Sequence, residues 1–452
     1  MQDAPVNTLY PYQKEGIEWL KTKRFALLAD EMGLGKSAQA IVAATELGAR
    51  NVGVVSPASV RTNWSREWLK FSGQSLLPLL TGSDILLNTA TIWSASYDHA
   101  TRYPELFPKL DVLILDEFHY LKSIEAQRAN AIMGRGGIIH RVAAAWGLSG
   151  TPAPNNASEL YVWLKVFGVW KGTYDQFVAK FCLTRRTDYG PQIVGNKNVP
   201  ELRALLAPIL LRRKKADVTT QLPALTYSDL VVEPAIIDEE LFFPDYYLQN
   251  LVGDLHKELR ESRAMLTAAL GTTGLGRDGL KAMEGMAKSV STLRRYIGLQ
   301  KTFPYMEIVK DELANKAYDK LVIYCLHRDV IETLRTGLKD FGPVTLYGGT
   351  PAEKRQQNID RFVKRASCRV FIGNILAAGT GIDGFQTVCN NVDLLEQDWV
   401  PGNNAQAVMR LHRIGQEKPV MCRVVGVADS LDERIAQVLK RKTRDLTEIF
   451  DA

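Results

Sequence analysis

The stretch LLADEMGLGKSAQAI, Leu27 to Ile41, sets two glycines and a lysine between an apolar run and a run of good helix formers. FALLAD (25–30) reads as a strand, EMGLG as a turn tolerant of positive φ, and KSAQAIVAATEL as a helix. In that order the three aim backbone N–H groups and a helix N-terminus at one point, which favours phosphate. Lys36 adds a charge that reaches β and γ phosphates, and Ser37 a hydroxyl for Mg²⁺. The strict pattern, G-x-x-x-x-G-K-[ST], has glycine where this chain has Asp30. On this stretch alone, a tight strand–helix turn that needs its glycines only for packing remains open.

A second motif narrows the reading. VLILDEFH (112–119) ends an apolar strand with two adjacent carboxylates. Asp116 is placed to hold Mg²⁺, and Glu117 to orient and deprotonate an attacking water. The two motifs together point to nucleoside triphosphate hydrolysis.

Composition sets the frame. The chain has 452 residues, enough for two to four domains, and 46% are hydrophobic, enough for large cores. No apolar run reaches the length of a membrane span, and the N-terminal residues lack the pattern of a signal peptide. A soluble, cytoplasmic protein is expected. Five scattered cysteines form no C-x-x-C pair, so buried free thiols are expected rather than zinc or disulfides. The net charge of +6 permits a polyanionic partner without establishing one.

Short apolar runs alternate with helical patterns along most of the chain. Strands are predicted at 25–30, 51–56, 112–117 and 146–150, then at 320–325, 344–348, 369–374, 392–397 and 421–427. Helices are predicted at Ser37–Gly48, Arg328–Phe341 and Glu353–Lys364. Non-alternating strands interleaved with helices predict parallel sheets covered on both faces, and two such series predict two α/β lobes. Residues 157–215 and 235–315 read mostly helical, with helices at Glu239–Leu251, Leu255–Leu270 and Leu280–Ile297 and a glycine-rich break at 271–279. The aromatics Phe242, Phe243, Tyr246 and Tyr247 read as core. An amphipathic helix closes the chain at 430–450, with Ser430 and Glu433 as a capping box.

LYPYQKEGIEWL, DEMGLGKS, DEFH, GLSGTP, LLRRKKADV and QAVMRLHRIGQ stand in one order along the chain. This resembles the Snf2 family of superfamily 2 helicase-like ATPases, from Leu9 to the C-terminus, and most resembles its compact bacterial and phage members and annealing-type remodellers. The resemblance implies two RecA-like lobes with parallel sheets, helical insertions and a C-terminal helix bracing lobe 1. It divides the chain into lobe 1 (1–230, with a helical protrusion at about 157–215), a helical insertion (231–315) and lobe 2 (316–452).

It also implies roles at matching positions. ATP would be bound by Gln13, which reads adenine, by Gly33, Leu34, Gly35, Lys36 and Ser37, and by Gly381 and Asp383. Mg²⁺ would sit on Ser37 and Asp116. Arg410 and Arg413 would act as arginine fingers, joining Lys36, Asp116 and Glu117 as the catalytic set. His119, Ser149, Thr151 and Gln406 would couple hydrolysis to movement. For Gln13 an exposed polar residue at a helix start is the alternative, and for the arginines a surface pair.

Double-stranded or branched DNA is the implied partner, held mainly through phosphates. Contacts fall at Ser56, Arg61, Gly348, Asn374, Thr380 and Trp399, with Trp64 read as core. The basic run Arg212-Arg213-Lys214-Lys215 reads either as a feature of the lobe junction or as a solvated helix face. Two departures from the family are Phe118, where a small residue is usual, and Val400, where D-W-N-P is interrupted beside Trp399. The expected activity is ATP-driven translocation on duplex DNA, remodelling DNA or protein–DNA complexes, by a monomer working with replication, repair or transcription proteins. The compactness leads to the expectation of a prokaryotic or viral source. A strand-unwinding helicase, an RNA-polymerase-associated ATPase and a non-catalytic nucleic-acid-binding scaffold stay open as alternatives.

Overall fold

A computed structural model describes residues 9–450, except 87–88, 124, 188–189, 219–221, 236–286, 379–381 and 428–429. The predicted helices Glu239–Leu251 and Leu255–Leu270, the glycine-rich break, the four aromatics at 242–247 and Gly379, Thr380 and Gly381 lie outside the described residues.

The chain divides into two compact units. The first comprises Met1–Leu222, Val400–Gly415 and Leu439–Ala452; the second comprises Pro223–Trp399 and Gln416–Val438. In the first, the strands are β1 (Phe25–Leu28), β2 (Val52–Ser56), β3 (Leu77–Pro78), β4 (Ile92–Ser96), β5 (Leu110–Asp116), β6 (Val142–Leu148), β7 (Cys182–Thr187), β8 (Gly190–Asn196) and β9 (Leu210–Leu211). Seven of them form one sheet in the order β3-β4-β2-β5-β6-β1-β9, with every pairing parallel.

Because all seven strands run the same way, their C-terminal ends share one edge, where open α/β sheets bind ligands. The residues following β1, β2, β5, β6 and β9 therefore converge although they are far apart in sequence. The sheet is apolar on both faces, as a parallel sheet covered by helices requires. Leu27 belongs to the cluster holding Phe118 and Trp163, while Ala26 and Leu28 belong to the one holding Ile41, Trp64 and Trp146. Fully burying each large apolar side chain contributes roughly 1.5–3 kcal/mol.

Residues 157–215 hold the helices Tyr161–Val166, Tyr174–Phe181 and Val199–Leu206, but also the antiparallel hairpin β7–β8. The mostly helical expectation fails there because CLTRRT is rich in β-branched and long polar residues. That composition suits an exposed two-stranded ribbon and carries no apolar period. β4 also went unread: IWSAS has only two large apolar residues, yet the strand is almost wholly buried.

In the second unit, β10 (Leu225–Val231), β11 (Leu321–Cys325), β12 (Val344–Leu346), β13 (Val370–Asn374), β14 (Asn391–Leu394) and β15 (Val420–Gly426) form a parallel sheet, ordered β10-β15-β14-β11-β13-β12. The helix Arg328–Gly337 stops short of the expected Phe341, where a 3-10 turn and Gly342 at φ 62° end it. The helix Ala287–Ala314 is fixed to this sheet by charge. Arg423 on β15 lies in register beside Asp393 on β14 and donates to both carboxylate oxygens at 2.9 and 2.7 Å. The same guanidinium donates to Glu312 at 2.5 and 2.9 Å, and Tyr305 donates to Asp393 at 2.6 Å.

All five cysteines are buried and free, as expected. Among the described residues no helix is long and apolar enough to cross a membrane. The final helix, Leu431–Phe450, begins after Ser430, whose hydroxyl accepts from the Asp432 N–H at 3.1 Å. Its last part packs on the first unit: Ile449 is buried there, and Asn196 and Lys442 donate to Asp445 O and Asn155 Oδ1 at 3.3 and 3.2 Å.

Removing one partner of a buried ion pair strands the other charge, at a cost of about 3–5 kcal/mol. Arg423→Ala is expected to destabilise the second unit by that order in urea unfolding. A loss below about 1 kcal/mol would mean that Asp393 and Glu312 do not depend on this guanidinium.

Candidate active site

The loop after β1 is shaped by two glycines. Gly33 has φ 84° and Gly35, the N-cap of the helix Lys36–Glu46, has φ 73°. Both values lie in the left-handed region that side chains disfavour. Space is limiting too: a Cβ on Gly35 would meet Gln13 Nε2 at 2.4 Å, and one on Gly33 would meet Arg413 Cβ at 3.0 Å. The Leu34 carbonyl accepts from Gln13 Nε2 at 3.1 Å and from the Tyr12 hydroxyl at 3.2 Å. Gln13 is buried, so it is not the exposed polar residue left open by the sequence. Ser37 is half-buried in the first turn of the helix. Lys36 folds back to donate to the carbonyls of Asp30 and Glu31 at 2.7 and 3.3 Å. Burial pushes its ammonium down in pKa, against the pull of Glu117, Asp30 and Asp116.

Asp30, the departure from the strict glycine pattern, is fully buried and ion-paired. Arg213 donates to its two oxygens at 2.9 and 2.5 Å, and Gln39 Nε2 donates to it at 3.0 Å. Arg213 also donates to Gln39 Oε1 at 2.7 Å and to the Tyr12 carbonyl. This network ties the phosphate loop to the first helix, to the helix behind the loop and to the residues after β9. The basic run at 212–215 thus turns inward in part. Arg212 donates to Ala29 O at 3.0 Å, and the Lys215 ammonium is buried against His412 O at 2.5 Å, where burial lowers its pKa to about 8. A solvated helix face does not describe these residues.

Two strands away, β5 ends at Asp116. Glu117 follows with φ 52° and ψ 53°, a left-handed conformation unusual for a residue with a side chain. Such strain persists where the surroundings hold it, and it occurs most at functional sites. The surroundings here are specific. Tyr97 donates to the Asp116 carbonyl at 2.8 Å, and the indole N–H of Trp64 donates to Asp116 Oδ2 at 2.8 Å. Phe118 anchors the next position in the core against Trp163.

Burial and the neighbouring Glu117 charge raise the Asp116 pKa, while the Trp64 bond and Lys36 oppose them. Burial likewise raises Glu117, with Lys36, a Ser149 hydrogen bond and Arg410 pulling it back. A half-buried carboxylate pair with raised proton affinity suits a hard cation. Among the described residues no cluster of three or more His, Cys, Asp or Glu is arranged for a metal. A single carboxylate and a hydroxyl fit Mg²⁺, which is bound by few protein oxygens plus phosphates, better than a protein-caged metal.

Ser149, just past β6, donates to Glu117 Oε2 at 3.0 Å, lies 2.9 Å from His119 Nδ1 and accepts from Thr151 N–H at 3.1 Å. Burial lowers the His119 pKa to about 4, so the imidazole is neutral near pH 7. Gln406 is buried on the helix Pro401–Val408, and a Cβ on Gly402 of that helix would meet Thr151 Cγ2 at 2.8 Å. Arg410 and Arg413 lie beyond the end of this helix. They reach the site separately, Arg410 through its charge on Glu117 and Arg413 beside Gly33.

The remaining predicted residues sit elsewhere. Ser56 is fully buried and donates to its neighbour's carbonyl at 3.3 Å, so its side chain offers no surface to a duplex. Arg61 donates to Leu79 O at 2.6 Å. In the second unit, Asp383 accepts from Gly384 N–H at 2.9 Å, and Asn374 caps the turn at 376–377 while donating to Leu326 O at 2.6 Å. Gly348 faces open space, and Trp399 lies under the Arg294 guanidinium, 5.1 Å from its ring centre. Sequence reading missed Gln39, the inward pairing of Asp30, Arg213 and Lys215, and the polar role of Trp64. The polar departure at Asp30 was the one signal that could have flagged a buried partner.

A parallel α/β unit with a phosphate loop, an acidic strand end and two arginines beside them defines a nucleotide-hydrolase type of site. The SNF2-related domain matches residues 12–243, and the helicase conserved C-terminal domain matches residues 304–415. The chain belongs to the SNF2-related family. It is 27% identical to the SWI/SNF-related matrix-associated actin-dependent regulator of chromatin subfamily A-like protein 1 of Drosophila melanogaster, covering 98% of this chain and 56% of the relative. It is 26% identical to the DNA annealing helicase and endonuclease ZRANB3 of Homo sapiens, covering 96% of this chain and 40% of that protein. The chain spans about half the length of the curated relatives it matches. The Sulfolobus solfataricus SWI2/SNF2 ATPase core in complex with dsDNA aligns at 22% identity and a TM-score of 0.44, covering 99% of this chain and 97% of that one.

Asp30→Gly restores the strict loop pattern but strands Arg213. It is expected to cost about 3–5 kcal/mol in unfolding of the first unit and to weaken nucleotide binding. Unchanged stability with tighter nucleotide binding would show that the ion pair does not hold the loop.

Proposed function

We propose that this chain is a DNA-dependent ATPase that translocates on double-stranded DNA and remodels DNA or protein–DNA complexes. The observation that carries the reading is the convergence of Lys36, the strained Glu117, Asp116 and Arg410 at one sheet edge. Family membership and the names of the relatives support the choice of DNA.

In this reading Gln13 reads the adenine, and the loop at Gly33–Ser37 with Lys36 holds the phosphates. Ser37 and Asp116 would hold Mg²⁺, which when bound offsets charge on the β and γ phosphate oxygens. Glu117 orients a water and takes its proton as the water oxygen bonds to the γ phosphorus; the bond to the β–γ bridging oxygen breaks, leaving ADP and phosphate. Its raised proton affinity suits that task. Arg410 and Arg413 stabilise charge on the γ oxygens, a contribution of roughly 10³–10⁵ in rate. The bonds from Glu117 through Ser149 to His119 and Thr151 give hydrolysis a route to the helix Pro401–Val408. DNA contact falls to Arg61, Gly348, Asn374, Thr380 and Trp399, and Gly381 and Asp383 serve the nucleotide.

The test is steady-state ATP turnover without nucleic acid and with duplex DNA, forked DNA, single-stranded DNA and RNA. Duplex or forked DNA is expected to stimulate turnover strongly, and Lys36→Ala to abolish it. Arg413→Ala is expected to lose about 10³-fold in turnover while still binding ATP. Stimulation by single strands or RNA alone would replace this reading with an unwinding one. Turnover absent under every condition would favour a non-catalytic scaffold.

A further inference from the structure

Trp64 and Trp68 stand one turn apart on the helix Arg61–Ser72, buried in the same apolar cluster at 2% and 1% exposure. Packing alone explains both rings. It does not explain the difference between their polar edges. Among the described residues the Trp68 N–H has no hydrogen-bond partner, whereas the Trp64 N–H donates to Asp116 Oδ2 at 2.8 Å. An indole offers one donor and no acceptor. Aimed at a carboxylate, it fixes one oxygen and therefore the side-chain rotation that presents the other. The Asp116 backbone is held independently, since Tyr97 donates to its carbonyl at 2.8 Å. The carboxylate is thus fixed at both ends of a side chain with only two rotatable bonds.

We propose that Trp64 is a positioning residue for the metal nucleotide, holding the Asp116 carboxylate in the one orientation that receives Mg²⁺. The assignment rests on the proposed function, which makes Asp116 the metal carboxylate. Trp64 itself touches neither nucleotide nor metal. Without its N–H, Asp116 must give up a charge-assisted bond in a part-buried setting and samples other orientations.

The neighbouring tryptophan supplies the control. Trp64→Phe and Trp68→Phe remove similar ring volume from one cluster, but only the first removes a bond to Asp116. Binding of a fluorescent ATP analogue is titrated with Mg²⁺ in both variants and in wild type. Trp64→Phe is expected to raise the Mg²⁺ half-saturation point by about tenfold or more, with binding restored at high Mg²⁺. Trp68→Phe is expected to leave that point where it is. Equal Mg²⁺ dependence in the two variants overturns the assignment. A second readout needs neither nucleotide nor Trp64 replacement. In ¹⁵N-labelled protein without nucleotide, Asp116→Asn is expected to move the Trp64 indole N–H resonance and not that of Trp68. A Trp64 resonance that stays in place overturns the assignment, even if Trp64→Phe fails to fold. Wild type that binds no magnesium nucleotide would instead sink the proposed function, while the indole resonance still reports whether the bond exists.

Discussion

Two adjacent carboxylates, Asp116 and Glu117, stand half-buried side by side at the end of a strand, and much of the first unit is arranged around that cost. Charges taken out of water must be paired or must change their proton affinity. Here each acid has its own partners. Asp116 is held by an indole N–H on one oxygen, and Glu117 by the Ser149 hydroxyl and the Arg410 charge, with Lys36 acting on both. A regular strand sends adjacent side chains to opposite faces, and the left-handed backbone at Glu117 breaks that alternation just after Asp116. Two acids with separate environments are suited to separate tasks.

The same logic explains the phosphate loop. It must keep N–H groups open to an anion while staying rigid before the anion arrives. Left-handed glycines give the path, and the buried Asp30–Arg213 pair fastens it from behind. Asp30 replaces the usual glycine without blocking the site because its side chain turns away from the phosphate position, into Gln39 and Arg213. Arg213 comes from residues after β9, so the loop's rigidity depends on the edge strand beside β1, the last of that sheet in chain order.

All nine strands read from the sequence appear, because fully buried parallel strands are written as unbroken apolar runs. The strands that went unread have weaker signals for physical reasons. β3 and β9 have two residues each, β4 is buried but serine-rich, the β7–β8 ribbon is largely polar, and β10 is mostly exposed. In the site, residues next to a motif were legible, and residues that reach it from elsewhere in the chain were not. Trp64 looked like core and is core, but nothing in RTNWSREW says where its N–H points. The run holding Arg213 was left open between a lobe-junction feature and a solvated face because its partner, Asp30, lies 183 residues earlier. Buried pairing across such distances is set by the sheet order, which the sequence does not state.

The central claim is that the acidic pair divides the work, with Asp116 serving the metal nucleotide and Glu117 the water. Single-turnover hydrolysis by Glu117→Gln, pre-mixed with Mg²⁺, ATP and duplex DNA, tests it most directly. The account predicts ATP affinity near that of wild type and hydrolysis slowed by about 10²–10⁴, the usual contribution of a general base. Hydrolysis at the wild-type rate would take Glu117 out of the chemistry, and a lost ATP affinity would mean that the two acids act as one binding unit.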